Sequence, residues 1–141
     1  MKNLNIKDAI ISACVIWTLA VLAFITSYFV PILPDPDLQA NWVLSIALIP
    51  SAFIGTHLYY RRGHSTNGFV LGISMFLVAM ILDAAITVPF LVMPYSGDHI
   101  SFFTDVGFWL IAMEYISAVV AYRPLMRFLQ KVDNFRVTPQ K

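Results

Sequence analysis

Asp83 and Glu114 stand inside runs of apolar residues, Asp83 between Met80-Ile81-Leu82 and Ala84-Ala85-Ile86, and Glu114 directly after Ile111-Ala112-Met113. An ionised acid at the centre of a bilayer costs about 2.5–3.5 kcal/mol on insertion scales, so each needs water, a partner or a proton. Two neighbouring carboxylates disfavour joint ionisation. One proton, or a cation in its place, is then shared by the pair, and the corresponding chemistry is proton-linked exchange. The competing reading is an uncharged acid that fixes helix packing through a hydrogen bond to Thr87, Tyr115 or Ser117. His57 adds a side chain with a near-neutral reference pKa, suited to a proton relay or to a polar site at a membrane interface. His64 is expected in an exposed loop. Asp98, His99 and Asp105 match no metal-ligand spacing, and no metal or other cofactor is assigned to them.

The elements that hold these acids follow from composition. Of the 141 residues, 59% are apolar and 12% charged, against about 25% charged in a soluble domain. The apolar runs have no polar face, which excludes a soluble helix packed on one side. Four segments approach the roughly 20 residues that cross a hydrocarbon core of about 30 Å: residues 9–30, 42–60, 69–93 and 106–122. Pro31, Pro34 and Pro36 stop the first, Arg61-Arg62-Gly63 the second, Pro94 the third and Arg123-Pro124 the fourth. Before the cleavage-like box Ile11-Ser12-Ala13-Cys14 the apolar region is only Ala9 to Ala13, too short for a removable signal, and the chain stays apolar to Val30, so the first span is expected to be a retained helix. The predicted fold is a single all-α membrane domain over residues 1–141, four transmembrane helices in an up-down bundle with a tail from residue 123.

The nine Lys and Arg residues fall before the first span, between the second and third, and after the fourth. The other two loops carry Asp35, Asp37, Asp98 and Asp105 instead. The positive-inside rule therefore places both termini in the cytoplasm. Tyr28, Trp42, Tyr59, Tyr60, Tyr95, Trp109 and Tyr122 sit near the expected interfaces, where an amphipathic ring meets both lipid and water. Trp17 is the exception.

Ser45, Ala52, Gly55, Thr56 and Tyr59 in the second span, and Gly107, Glu114, Ser117, Ala118 and Ala121 in the fourth, form faces expected to point into the bundle. Pro50 and Pro89 each remove a backbone donor and should kink a helix or leave a carbonyl in need of another partner. At about 1.5 Å per residue, Asp83 lies about 15 Å from the outer end of its span and Glu114 about 12 Å, so lateral pairing is geometrically open. Beyond Pro124, Leu125, Phe128, Leu129, Val132 and Phe135 follow helical spacing. With Arg127, Lys131 and Arg136 they form a short C-terminal amphipathic helix suited to a membrane surface.

Leu82-Asp83-Ala84 through Pro89-Phe90, Pro94, and Gly107-Phe108-Trp109-Leu110 resemble an uncharacterised family of small bacterial four-helix membrane proteins. That resemblance implies the architecture and a multi-pass place in the bacterial cell (inner) membrane, and it transfers no site. The small multidrug transporters are similar in size and use a membrane carboxylate, but in their first helix, where residues 9–30 hold no acid. A formal charge of +1 provides no basis for nucleic-acid binding. Cys14 is the one cysteine, so a CxxC pair is impossible, and GxSxG and HExxH are missing, which places an enzyme last. The leading expectation is a proton-linked carrier using Asp83 and Glu114. The alternative is a noncatalytic structural or regulatory subunit, with lipids and a second copy or a larger membrane protein as partners. The orientation has a direct check in intact cells. Cysteine labels near Asp37 and Asp98 should react from outside, whereas labels near His64 and Gln140 should require permeabilisation; a reversed pair overturns it.

Overall fold

The computed structural model describes residues 4–137; Lys2, Gln140 and Lys141 lie outside the described residues, as do the side chains of Phe135 and Arg136. Among the described residues five α-helices are formed: α1 (Ile6–Ser27), α2 (Pro36–Tyr60), α3 (Gly68–Leu82), α4 (His99–Thr104) and α5 (Val106–Val137). A π-helical segment, Asp83–Val92, continues α3 and ends in a 3-10 turn at Met93–Tyr95. Among the described residues four stretches are long and apolar enough to cross a membrane: Ile6–Ser27, Pro36–Tyr60, Gly68–Tyr95 and Val106–Asn134. In each, at most 33% of the most apolar window is buried, so the bundle presents apolar side chains outward as well as inward.

The helix starts are chemically marked. Asn5 caps α1 by accepting from the Asp8 N–H, Asp35 caps α2 beside Pro36, and Asn67 caps α3. Each supplies an acceptor to first-turn N–H groups that have no intrahelical partner. The first connection is closed by Gln39, which is buried in α2. Its Oε1 accepts from the N–H groups of Ile32 and Leu33, while its Nε2 donates to the carbonyls of Ser27 and Val30. One amide thereby satisfies four backbone groups where the chain leaves α1.

The helices pack as a closed ring, α1 on α2, α2 on α5, α5 on α3 and α3 on α1. Alanines line the inner face of α1, with Ala9, Ala13 and Ala20 buried around Ile16. Opposite them a Cβ on Gly55 would lie 2.8 Å from the Ser12 carbonyl oxygen and collide with Ile16, so the α1–α2 seam needs glycine there. The predicted face of α2 is buried at Ala52, Gly55, Thr56 and Tyr59. The predicted face of α5 is corrected: Ser117 and Ala121 are exposed. Its buried seam is Ala112, Tyr115, Ala118, Val119 and Tyr122, because the close approaches come from glycines and alanines on the other helices and leave room for bulky residues on α5.

Two further expectations change at Pro124. The fourth span does not end at Arg123-Pro124, and no separate C-terminal helix follows; α5 runs unbroken through Pro124 to Val137. A proline inside a helix loses one hydrogen bond without forcing termination, and the residues after it keep helical spacing. Pro89 lies inside the π-helical segment. In an i to i+5 ladder its missing N–H is the one that would face the Ala84 carbonyl. His99 Nε2 approaches that carbonyl oxygen at 2.9 Å, and since a carbonyl only accepts, Nε2 carries the proton. Asp98 holds His99 in place by capping α4, accepting from the Ser101 N–H at 2.7 Å. That N–H, with the Ser101 side chain, holds the Asp98 carboxyl below the usual carboxylate range. The cap therefore contributes above the ordinary aspartate pKa and is lost as the pH falls through the lowered value.

The His99 bond is testable by a double-mutant cycle on thermal unfolding in detergent. His99→Phe should cost about 1–2 kcal/mol in the natural background. After Pro89→Ala, which restores an N–H facing the Ala84 carbonyl, the same change should cost nearly nothing. Equal costs in the two backgrounds would reject the pairing.

Candidate functional site

Asp83 is the first residue of the π-helical segment and is half-buried where α3 packs against α1. Trp17 on α1 donates its Nε1–H to Asp83 Oδ1 at 2.8 Å. Thr87, one turn further along the same strand of helix, donates its hydroxyl to that oxygen at 2.6 Å. Both donors converge on one oxygen. Asp83 Oδ2 has no hydrogen-bond partner among the described residues. The mid-span tryptophan that fits no interface is thus explained, since its indole N–H needs an acceptor in an apolar setting.

Glu114 is held on another seam. Ser45 on α2 donates its hydroxyl to Glu114 Oε2 at 2.6 Å, and Oε1 has no partner among the described residues. The α1–α3 and α2–α5 contacts lie on opposite sides of the ring. No hydrogen bond joins Asp83 to Glu114 among the described residues, and each acid has its own donors. The sequence places both acids at similar depth but does not reveal which helix each one faces. The Ser45 partnership was accessible. At about 1.5 Å per residue Ser45 lies about 13 Å into α2 and Glu114 about 12 Å into α5, and the two helices pack together.

The remaining candidates divide. Thr87 is a partner of Asp83, as one sequence reading had it. Tyr115 is buried between the helices with its hydroxyl unpartnered among the described residues. Thr56 Oγ1 is likewise buried without a partner. Ser117 faces outward and approaches neither acid's bonded oxygen. His57 is exposed, and its Nδ1 lies 2.6 Å from the Tyr122 hydroxyl near the end of α2, away from both carboxylates.

A second polar cluster lies where α1 begins and α2 ends. Because α1 starts at Ile6, Asp8 belongs to its first turn, and the first span does carry an acid near its tip. Asp8 pairs with Arg62 and accepts from His64 Nε2 at 2.6 Å. His64 is therefore not a freely exposed loop residue: its ring is partly buried and lies 4.7 Å from that of Tyr59. Tyr59 is fully buried, and its hydroxyl meets Thr66 Oγ1 at 2.7 Å and accepts from the Asn5 N–H at 3.1 Å. Sequence reasoning placed Tyr59 on the inner face of the second span but missed Asp8, which stands among the basic residues at that end.

At the other end, Asp98 caps α4, His99 binds the Ala84 carbonyl, and Asp105 accepts from the Phe108 N–H. These three side chains point to separate backbone targets rather than to a common centre. Among the described residues, no group of three or more His, Cys, Asp or Glu side chains is arranged to hold a metal ion.

No curated protein matches the chain, and no solved structure matches it. Residues 32–125, from the connection before α2 to just past Pro124 in α5, match a family of unknown function, DUF5367. The match includes Asp83, Thr87, Glu114, Ser45, His57 and Tyr115 and leaves out Trp17, and on its extent the chain belongs to that family.

Proposed function

We infer that this chain is a multi-pass protein of the bacterial cell membrane and that it exchanges protons for a small cation through Asp83 and Glu114. Its four spans run alternately up and down with both termini cytoplasmic. Contacts between the start of α1 and the end of α2, and between Gly68 at the start of α3 and Val120 late in α5, support that arrangement. So does the contact between His57 and Tyr122 near the ends of α2 and α5.

The observation that carries the reading is common to both acids: one carboxylate oxygen is fixed by donors and the other is left open. A proton arriving at Asp83 Oδ2 yields a neutral acid that still accepts from Trp17 and Thr87 at Oδ1. A cation replacing that proton meets an oxygen already oriented by the same donors. Loading and unloading therefore leave the interhelical bond in place. Because the acids lie on separate seams, they act as two sites, not as one shared pair. The π-helical segment beginning at Asp83 supports a functional assignment, since π turns are concentrated at functional sites.

The alternative is a noncatalytic subunit of a larger membrane assembly. It is favoured by the same bonds read as fasteners, Trp17 to Asp83 joining α1 to α3 and Ser45 to Glu114 joining α2 to α5.

Purified protein in liposomes loaded with a pH dye separates the two. With an imposed sodium or potassium gradient, the carrier reading expects protein-dependent proton movement. Asp83→Asn or Glu114→Gln should reduce it to the protein-free rate while leaving the folded yield intact. Asp83→Leu should in addition lower thermal stability by about 1–3 kcal/mol, because it leaves the Trp17 and Thr87 donors unpaired. Absence of protein-dependent flux with either cation, or full flux in the Asn/Gln double variant, would remove the carrier reading and leave the subunit.

A further inference from the structure

An open pocket of about 190 Å³ lies at the end of the bundle where α2 leaves and α5 passes, with Tyr60, His64, Arg123, Met126, Arg127 and Gln130 in its wall. No carboxylate lines it. His64 Nε2 is engaged with Asp8, so the uncompensated charge comes from the two arginines. Arg123 is held in position by its surroundings: its Nη1 donates to the Thr66 carbonyl at 3.2 Å, and its Cζ lies 4.7 Å from the centroid of the Tyr60 ring. Tyr60 is stacked in turn on Tyr122, with ring planes 10° apart, and donates its hydroxyl to the Thr66 carbonyl. The Thr66 carbonyl uses one of the five guanidinium N–H groups, which leaves Arg123 with further donors. Arg127, one turn further on, makes no hydrogen bond or ion pair among the described residues.

Two guanidinium groups one helical turn apart, one of them braced on an aromatic ring, suit a phosphate ester, whose oxygens accept several charge-assisted bonds. The volume admits a headgroup of that size and falls below the several hundred Å³ of a pocket for a drug-sized ligand. The surface beside it is apolar. Met126 forms part of the wall, and Val120, Met113 and Leu110 form an exposed apolar track on the Arg127 side of α5, within about 100° of that residue around the helix. A free phosphate would have no use for that track, whereas an acyl chain would lie along it.

We propose that this pocket binds the phosphate ester of an anionic lipid headgroup, with the acyl chain on the outer face of α5. The site is separate from Asp83 and Glu114, and the proposal does not depend on proton exchange.

The test uses the full chain purified in detergent and titrated separately with dioleoyl phosphatidylglycerol, dioleoyl phosphatidylcholine and inorganic phosphate. Retained lipid is read by native mass spectrometry and stabilisation by thermal unfolding. Phosphatidylglycerol should be retained and should raise the unfolding temperature; phosphatidylcholine and inorganic phosphate should do neither. Arg127→Gln, which disturbs no internal bond, should weaken phosphatidylglycerol binding about fivefold. Arg123→Gln should weaken it at least as much, whereas Lys131→Gln, which removes an exposed charge on the same helix outside the pocket, should leave it unchanged. Equal retention of the two lipids, or undiminished binding by the Arg127 variant, overturns the proposal. An equal loss on changing Lys131 replaces the pocket with a diffuse basic face. Displacement of the lipid by inorganic phosphate assigns the pocket to a soluble phosphate and overturns the lipid assignment.

Discussion

A polar group on a helix that is apolar all round has no solvent to complete its hydrogen bonds, so its partner must come from the bundle. Most of the internal geometry follows from that condition. Asp83 draws Trp17 across from α1 and Thr87 from its own helix; Glu114 draws Ser45 from α2; Gln39 gathers four backbone groups where the chain turns. These bonds set which helix faces which, while the close approach of the backbones comes from Gly55 and the alanines of α1. Hydrophobic burial alone would not distinguish these faces, because the outward residues are as apolar as the inward ones.

The same condition governs the backbone around Pro89. A proline there leaves an acceptor unsatisfied, and the π-helical ladder determines which one. The repair comes from outside the helix, from His99, fixed by the Asp98 cap at the start of α4. Asp98, His99, Ala84 and Pro89 are therefore one structural unit even though the sequence separates them. That unit borders Asp83, so the helix carrying the acid is braced just beyond it.

Much of this was legible in the residues. The four spans, the exposed aromatic residues at Trp42 and Trp109 and the need of a carbonyl near Pro89 for another partner follow from composition and from the loss of an N–H. The bounds shifted where local chemistry outweighed the apolar count: α2 starts at the Asp35-Pro36 cap rather than at Trp42, and α5 passes through Pro124. The partners of the acids were harder to read. Depth along a span follows from counting residues, but rotation about the helix axis depends on packing between helices, and a one-residue difference turns a side chain by about 100°. Ser117 shows the consequence: its depth suits Glu114 and Asp83, yet it points outward. Trp17 carried a usable signal as the one aromatic N–H far from either interface.

Charge is distributed along the bundle with a physical division of labour. At the end where α2 and α5 begin, Asp35, Asp98 and Asp105 serve as acceptors for helix-start N–H groups. Negative charge is favourable there, because the first turn of a helix presents unsatisfied donors and the positive end of its dipole. At the opposite end Asp8 is balanced by Arg62 and His64, and Arg123 is used partly by the Thr66 carbonyl. Arg127 and Lys131 extend beyond these pairs without an acidic partner among the described residues. The surplus positive charge is thus what remains after internal pairing is satisfied, and it lies at one end. In the orientation proposed above, that end faces an anionic inner leaflet and the capped acids lie on the far side, so the residues that complete the helix ends would also favour that orientation.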